Sequence, residues 1–266
     1  MTTSSFKLTT LNLNGIRSAA NKGWVEWVQA HAPDCMCVQE VKAQADDVAG
    51  RFEEVSGMRG HFQFAQKKGY SGVGVYTRHE PSDVIIGFDG GEFDDEGRFV
   101  ELRFDRPGQK FSVISAYFPS GSSGEDRQAA KFRFLDVVYP HMMRLKAERE
   151  YVLCADVNIA HQNADLKNWK SNQKNSGFLP EERAWMTKLL GEGEMHDVYR
   201  RLHPDTTDAC YTWWSNRGAA YDKNVGWRLD YHLATAGVAQ RASRCEIYKG
   251  QKFSDHAPLT VVYEAV

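Results

Sequence analysis

Twelve short runs of apolar or alternating side chains, separated by glycine, aspartate and proline signals, recur along this chain and constrain its fold more than any other feature. They occupy residues 8–13, 35–39, 61–65, 73–77, 84–88, 99–104, 111–118, 151–154, 211–214, 227–234, 244–248 and 259–263. Runs of that length between turn residues read as strands. Helical spacing interrupts them. Asn21 stands as a possible cap before Trp24, Trp27, Val28 and His31, whose spacing is that of one helix face. Across 125–149, Phe132, Leu135, Val138, Met142 and Leu145 mark another such face, and Pro140 is expected to kink or split that helix. Pro180, a favoured first helical residue, opens a third through Trp185, Leu189 and Leu190 to Gly191 or Gly193. Many short strands in hairpin-like succession, with few helices between them, predict two packed sheets with helices outside rather than one parallel sheet. Such a sandwich leaves one edge open as a cleft.

A chain of 266 residues can bury a large core, and no stretch of Pro, Gly or Ser is long enough to divide it, so one domain over 1–266 is expected. Gly121 to Gly124, with its serines, forms a flexible loop of a size that often carries function. With 26% charged and 12% aromatic residues, the composition excludes disordered and collagenous classes. No apolar run is long enough to span a membrane, and residues 1–5 lack the basic start and apolar centre of a secretion signal. A cytoplasmic location follows as the expectation. The five cysteines agree with it, because an odd number suits a disulfide framework poorly and Cys35, Cys37 and Cys154 sit inside strand-like runs. They show no zinc-type spacing. A net charge of −2 gives no broad attraction to a polyanion. Positive charge must then act locally, and Lys67 with Lys68, the 167–174 segment and the 217–228 segment are the candidates.

Oxygen-bearing side chains close several of the strand-like runs: Asn12, Glu40, Asp156, Asn158 and Asp230, joined near the end of the chain by Ser254-Asp255-His256. Strand termini of one sandwich can share an edge. Convergent carboxylates without a cation repel one another, whereas a hard divalent ion prefers that donor set. His256 lies directly beside an acid, and Asp230 is the candidate to hold its other ring nitrogen. A phosphodiester hydrolase needs these parts, namely charge stabilisation at the phosphate and an orienter for water.

A family resemblance rests on ordered motifs. Leu11-Asn12-Leu13-Asn14-Gly15-Ile16-Arg17, Val38-Gln39-Glu40, Gly69-Tyr70-Ser71-Gly72-Val73-Gly74-Val75, Asp95-Glu96-Gly97-Arg98 and Ala116-Tyr117-Phe118-Pro119 come first. Asp156-Val157-Asn158-Ile159-Ala160-His161, Ser176-Gly177-Phe178-Leu179-Pro180-Glu181-Glu182-Arg183, Val225-Gly226-Trp227-Arg228-Leu229-Asp230-Tyr231 and Phe253-Ser254-Asp255-His256-Ala257-Pro258 follow. In this order, from about residue 7 to 263, the chain resembles the exonuclease III family of apurinic/apyrimidinic endonucleases.

The resemblance implies an α/β four-layered sandwich, two packed mixed β-sheets flanked by helices, of the deoxyribonuclease I-like superfamily. It implies hydrolysis of the backbone of double-stranded DNA 5′ to abasic sites, with 3′-phosphodiesterase or 3′–5′ exonuclease activity at blocked 3′ ends, by a monomer using one or two Mg²⁺ or Mn²⁺ ions. Asn12, Glu40 and Asp255 would bind the principal ion, with Asp156, Asn158 and His256 completing the metal-side set. Tyr117, Asp156, Asn158, Asp230 and His256 would be catalytic. Trp213, Trp227 and Leu229 match the abasic pocket, while Trp214, on the alternate face, reads as core. Asn172 and Asn175 match positions near the scissile phosphate, and Asn216 or Arg217 would be the duplex wedge. Leu11 and Ser120 depart from the family pattern, where many members carry Trp and Asn or Gln.

Two other readings remain open at this level. A phosphoesterase of the same superfamily acting on lipid or inositol phosphates would share the metal site, and a DNA-binding scaffold with a dead site would lack cleavage. The Trp213, Trp227 and Arg217 set disfavours the first, and intact Glu40, Asp156, Asp230 and His256 the second.

Overall fold

The computed structural model describes residues 5–265. Side chains alternate across a strand, and that alternation sorts each apolar run onto two faces. In Cys35–Gln39, Cys35 and Cys37 join Leu8, Val75, Val113, Val152 and Cys154 in a core between two sheets. Met36 and Val38 point the other way, where Trp24, Trp27 and Val28 cover them from helix Trp24–His31. On the second sheet, Ile114, Tyr151 and Leu153 face outward beneath Phe134, Val138 and Met142 of helix Glu125–Glu148 and Met186 and Leu189 of helix Pro180–Leu190. These three cores make the fold a four-layered α/β sandwich with mixed sheets, as expected.

The seven-stranded sheet runs in the order Ala242–Ile247, Leu259–Glu264, Ser5–Asn12, Cys35–Gln39, Val73–Thr77, Met58–Gln63, Glu54–Val55. The six-stranded sheet runs His196–Asp197, Asp230–Ala234, Glu150–Asp156, Phe111–Tyr117, Phe99–Arg103, Asp83–Ile86, and a separate ribbon pairs Trp213–Trp214 with Gly226–Trp227. Each large sheet holds one parallel pair, Ser5–Asn12 with Cys35–Gln39 and Phe111–Tyr117 with Glu150–Asp156. Parallel neighbours end together. Their carboxyl ends therefore deliver Asn12 and Glu40 from one sheet, Tyr117 and Asp156 from the other, to one edge of the sandwich.

The structure corrects several local expectations. Asn21 closes helix Ile16–Asn21 instead of opening the next, and Gly23, at φ 88, takes the cap position before Trp24–His31 because the turn needs a left-handed residue. Pro140 does not split its helix, which continues over Glu125–Glu148. Its ring and the carbonyl of Asp136 that it leaves unpaired lie on the solvent side, so water can replace the lost bond. The run expected as one strand at 227–234 is broken into Gly226–Trp227 and Asp230–Ala234 at Arg228, whose buried guanidinium is tied to Asp165 and Asp197. The strand expected at 211–214 shrinks to Trp213–Trp214, and that at 61–65 lies at Met58–Gln63.

One buried histidine tests the packing of the two sheets. His232 is fully buried, its Nδ1 2.9 Å from the Tyr263 hydroxyl, and its Nε2 has no hydrogen-bond partner among the described residues. Burial holds the imidazole down to about 3. Below pH 6.5 the unfolded chain binds a proton that the folded one refuses, so this contribution to stability is whole above about 6.5 and is lost as pH falls toward 3. Replacing His232 by Asn is expected to flatten the pH dependence of urea stability across that window by on the order of 1 kcal/mol per pH unit. Unchanged slopes in the two proteins would rule the neutral buried ring out.

Candidate active site

Register, rather than proximity in sequence, assembles the site. Tyr117 is the cross-strand partner of Asp156, and Asp156 is that of Asp230, so the three form a row across neighbouring strands. All share the parity of the residues that point between the sheets, as Tyr117 with Val113 and Asp156 with Cys154 and Val152. From the facing sheet Asn12, fully buried, reaches across: its Nδ2 donates to Glu40 Oε1 at 2.9 Å and to Asp156 Oδ2 at 2.9 Å. The Asn12 Oδ1 accepts the backbone N–H of Asn14 at 2.9 Å. Through that nitrogen, which can only donate, Asn12 clamps the two carboxylates together, while its oxygen keeps one lone pair beyond the Asn14 N–H.

The Ser254-Asp255-His256 turn closes the opposite side. Ser254 Oγ donates to the Asn12 carbonyl at 2.6 Å and accepts the His256 N–H at 2.8 Å, which docks the turn on the first strand. His256 Nδ1 lies 2.8 Å from Asp230 Oδ2, and its Nε2 lies 3.6 Å from Asp156 Oδ2. Burial pulls the imidazole down, yet the Asp230 and Asp156 carboxylates outweigh it and lift the ring to about 10. Burial first, then the Asp230 and Glu40 charges, push the Asp156 carboxyl up to about 7 against the pull of His256 and Asn12. Asp255 is held at both oxygens, by Asn14 Nδ2 at 3.1 Å and Trp213 Nε1 at 3.0 Å.

Ligand atoms of Glu40, Asp156 and His256 lie within 4.8 Å of one another, a group that could hold a metal ion. The donor chemistry fits a hard cation: carboxylate oxygens dominate, and no cysteine sits among them. Asp230 Oδ1 is buried with no hydrogen-bond partner among the described residues, so negative charge there is incompletely met. At Glu40, by contrast, Lys42 meets part of the cluster's negative charge, with Nζ 3.0 Å from Glu40 Oε2 and 2.5 Å from Asn14 Oδ1. Sequence analysis missed Lys42. A cation two residues beyond an acid at a strand end was the available signal.

A cleft of about 210 Å³ opens beside this cluster, lined by Glu40, Tyr117, Asn158 and His256 together with Trp213, Trp227 and Leu229. Asn158 donates from Nδ2 to the Phe118 carbonyl at 2.9 Å, leaving its second N–H and its oxygen for the cleft. Trp213 and Trp227 are cross-strand partners whose rings meet edge-on, centroids 6.2 Å apart. Trp214, on the other face, is 1% exposed. Ser120 and Ser122, from the serine-rich loop, also border the cleft. The residues expected on DNA lie outside it: Asn216 and Arg217 are exposed on their loop, and Asn172 and Asn175 hydrogen-bond to each other on theirs.

Residues 9–256 match the Endonuclease/Exonuclease/phosphatase family. The chain belongs to that family. Its relatives include the DNA repair nuclease APEX1 of Danio rerio, 37% identical over 97% of this chain and 82% of that protein, and the exodeoxyribonuclease of Bacillus subtilis, 33% identical over 96% and 98%. An AP endonuclease from Archaeoglobus fulgidus superposes with a TM-score of 0.84 at 28% identity, covering 97% of this chain and 99% of the other. Within this family frame the dyad makes a measurable statement. In metal-free protein the His256 ring is expected to stay protonated through pH 8 by NMR titration, and Asp230→Asn to bring its titration down toward neutrality. A wild-type ring titrating near the ordinary histidine value would contradict the described contacts.

Proposed function

We propose that the chain is a DNA repair hydrolase that cuts the phosphodiester backbone 5′ to abasic sites, with 3′-phosphodiesterase or 3′–5′ exonuclease activity beside it. The observation that carries this reading is the continuity of the acidic cluster with an aromatic recess: Asp156 and His256 share one cleft with Trp213, Trp227 and Leu229. A phosphate at the cluster would put its neighbouring sugar against indole rings, where a baseless nucleotide extruded from a duplex fits and a full one is crowded. The names of the relatives support the same substrate class. Nothing on the cleft wall favours a lipid or inositol head group.

Mg²⁺ or Mn²⁺ is the proposed cofactor, held by Glu40 and Asp255 with Asn12, Asp156, Asn158 and His256 nearby; when bound it would supply charge stabilisation at the scissile phosphate. The remaining chemistry belongs to side chains. Asp156 orients and deprotonates the attacking water. Tyr117, whose phenol is kept protonated by burial and by Glu40 and Asp156, donates to a nonbridging oxygen. Asn158 offers its free N–H to the same phosphate. Asp230 fixes the tautomer and orientation of His256, which faces the developing charge as an imidazolium. Lys167, Lys170 and Lys174 with Asn172 and Asn175, and Arg217 and Lys223 with Asn216, would fix the duplex in register without reading bases, whereas Arg228 is buried and takes no part. We place this activity in a single catalytic domain, acting as a cytoplasmic monomer. Among the described residues no helix is long and apolar enough to cross a membrane.

The test is an end-labelled duplex with an abasic analogue, assayed with Mg²⁺ and with EDTA. Incision 5′ to the analogue is expected only with the metal. Asp156→Asn and His256→Ala should each lower turnover by roughly 10²–10⁴-fold with the circular dichroism spectrum unchanged. Wild-type turnover in either variant would overturn the assignment. Binding should weaken by about tenfold or more between 50 and 200 mM salt, as several neutralised phosphates require, and flat salt dependence would argue against a duplex partner.

A further inference from the structure

We infer that the buried pair Lys131–Glu182 is a positioning device for the cleft, locking Asn158 and the 176–179 turn against one another; this rests on the nuclease reading above. Lys131 comes from the long helix Glu125–Glu148 and Glu182 from the first turn of Pro180–Leu190, and both side chains are 0% exposed, with Nζ 2.8 Å from Oε1. Apart from one bond within the helices, their remaining hydrogen bonds go to the two cleft-bearing loops. Lys131 Nζ donates to the Asn158 carbonyl at 2.6 Å. Glu182 Oε2 accepts the backbone N–H groups of Gly177 at 2.7 Å and Leu179 at 3.1 Å. Gln128 Nε2 adds a third bond, to Oε1, at 2.9 Å.

The two loops are already close. The Ala160 N–H donates to the Gly177 carbonyl at 2.8 Å. Gly177 sits at φ 94, and a Cβ there would lie 3.1 Å from the Trp227 ring and 3.3 Å from the Asn158 oxygen. A displacement of either loop by a fraction of an ångström would therefore move both a phosphate-side donor and the wall of the aromatic recess. Asn158 is itself in the left-handed region, at φ 54, held by its N–H on Asp156 Oδ1 at 3.0 Å and by Lys131 on its carbonyl. A buried ion pair is an inefficient way to stabilise a fold, because desolvation offsets most of the attraction, and apolar replacements often do as well. Here every partner of the pair outside the two helices belongs to a loop that borders the cleft. That distribution assigns the pair to geometry rather than to helix packing.

Lys131→Met alone strands a buried carboxylate and is expected to destabilise the protein, so the informative change is Lys131→Met with Glu182→Gln, which removes both charges and leaves an acceptor for one loop N–H. Compared with wild type on the abasic duplex, this double variant should melt within a few degrees and keep its KM within about twofold, while kcat falls on the order of 100-fold, the cost of about 1 Å of misplacement. Lys131→Arg, which keeps the charge and the N–H donors, should recover most of that loss. Wild-type kcat in the folded double variant, a loss confined to KM, or a Lys131→Arg variant no better than the double one would overturn the inference. Should the double variant not fold, Glu182→Gln alone decides: a fall in kcat with KM held supports the device, and wild-type kcat in the folded variant opposes it. Each protein is assayed on an abasic and a 3′-recessed duplex. Wild type inactive on the abasic duplex would sink the substrate reading, whereas the ratio of variant to wild type on whichever duplex is cut decides the positioning role.

Discussion

The bridge that Asn12 makes between Glu40 and Asp156 is the interaction on which the arrangement depends. Glu40 follows a strand of one sheet and Asp156 ends a strand of the other, so a single amide nitrogen spans the interface between sheets. Carboxylates brought this close repel strongly where water is excluded. The sandwich answers by giving each a fixed donor: Asn12 for Glu40 and Asp156, His256 for Asp230, Asn14 and Trp213 for Asp255, Lys42 again for Glu40. Even with His256 charged, Glu40, Asp156, Asp230 and Asp255 outnumber the cations. A divalent ion held there would balance that excess.

Holding them also strains the backbone. Asn14, Glu40, Lys42, Ser71 and Asn158 all have positive φ, and none is glycine. Asparagine adopts this region at modest cost, but Glu40 and Lys42 do so against their preference. Their loop is braced from the turn that precedes strand Val73–Thr77, because the Val41 and Lys42 N–H groups donate to the Gly72 and Ser71 carbonyls. Strain of this kind persists only where surrounding bonds over-determine it. Here those bonds hold Glu40 toward Asn12 and Lys42 toward Glu40, so the cost is tied to the shape of the cluster.

Much of this was legible in the sequence because it follows from period. Continuous apolar runs at residues 35–39 and 151–154, bounded by polar residues, placed the strands, and the position of each acid just past such a run placed it at a sheet edge. The two-residue period of a strand separated Trp213 from Trp214. What escaped is long-range. The direction of the Asn12 amide depends on Glu40, Asp156 and the Asn14 N–H together, and no local pattern encodes it. Lys131 lies on the buried face with Phe134, Leu135 and Val138, yet a lysine reads as solvated until its partner in a distant helix is known. The break at Arg228 was hidden in the same way, by carboxylates at Asp165 and Asp197.

Arg228 also explains why the aromatic recess can keep its shape without a large apolar core beneath it. It lies between the two recess residues Trp227 and Leu229 in the chain, and its fully buried guanidinium bonds Asp165 at 2.8 Å and Asp197 at 2.6 Å, while Arg200 adds a second bond to Asp165 at 2.6 Å. Burial pushes the Asp165 carboxyl up, but the two guanidiniums outweigh it and hold the group well below the usual carboxylate range. The Arg228 N–H donates to the Asp165 carbonyl as well, so backbone and side chain fix the same residue. Planar bidentate contacts tolerate little rotation, unlike apolar packing, which can slide. A recess meant to discriminate by fit gains from walls set by such contacts, because its selectivity rests on excluding an object only slightly larger than the one it admits.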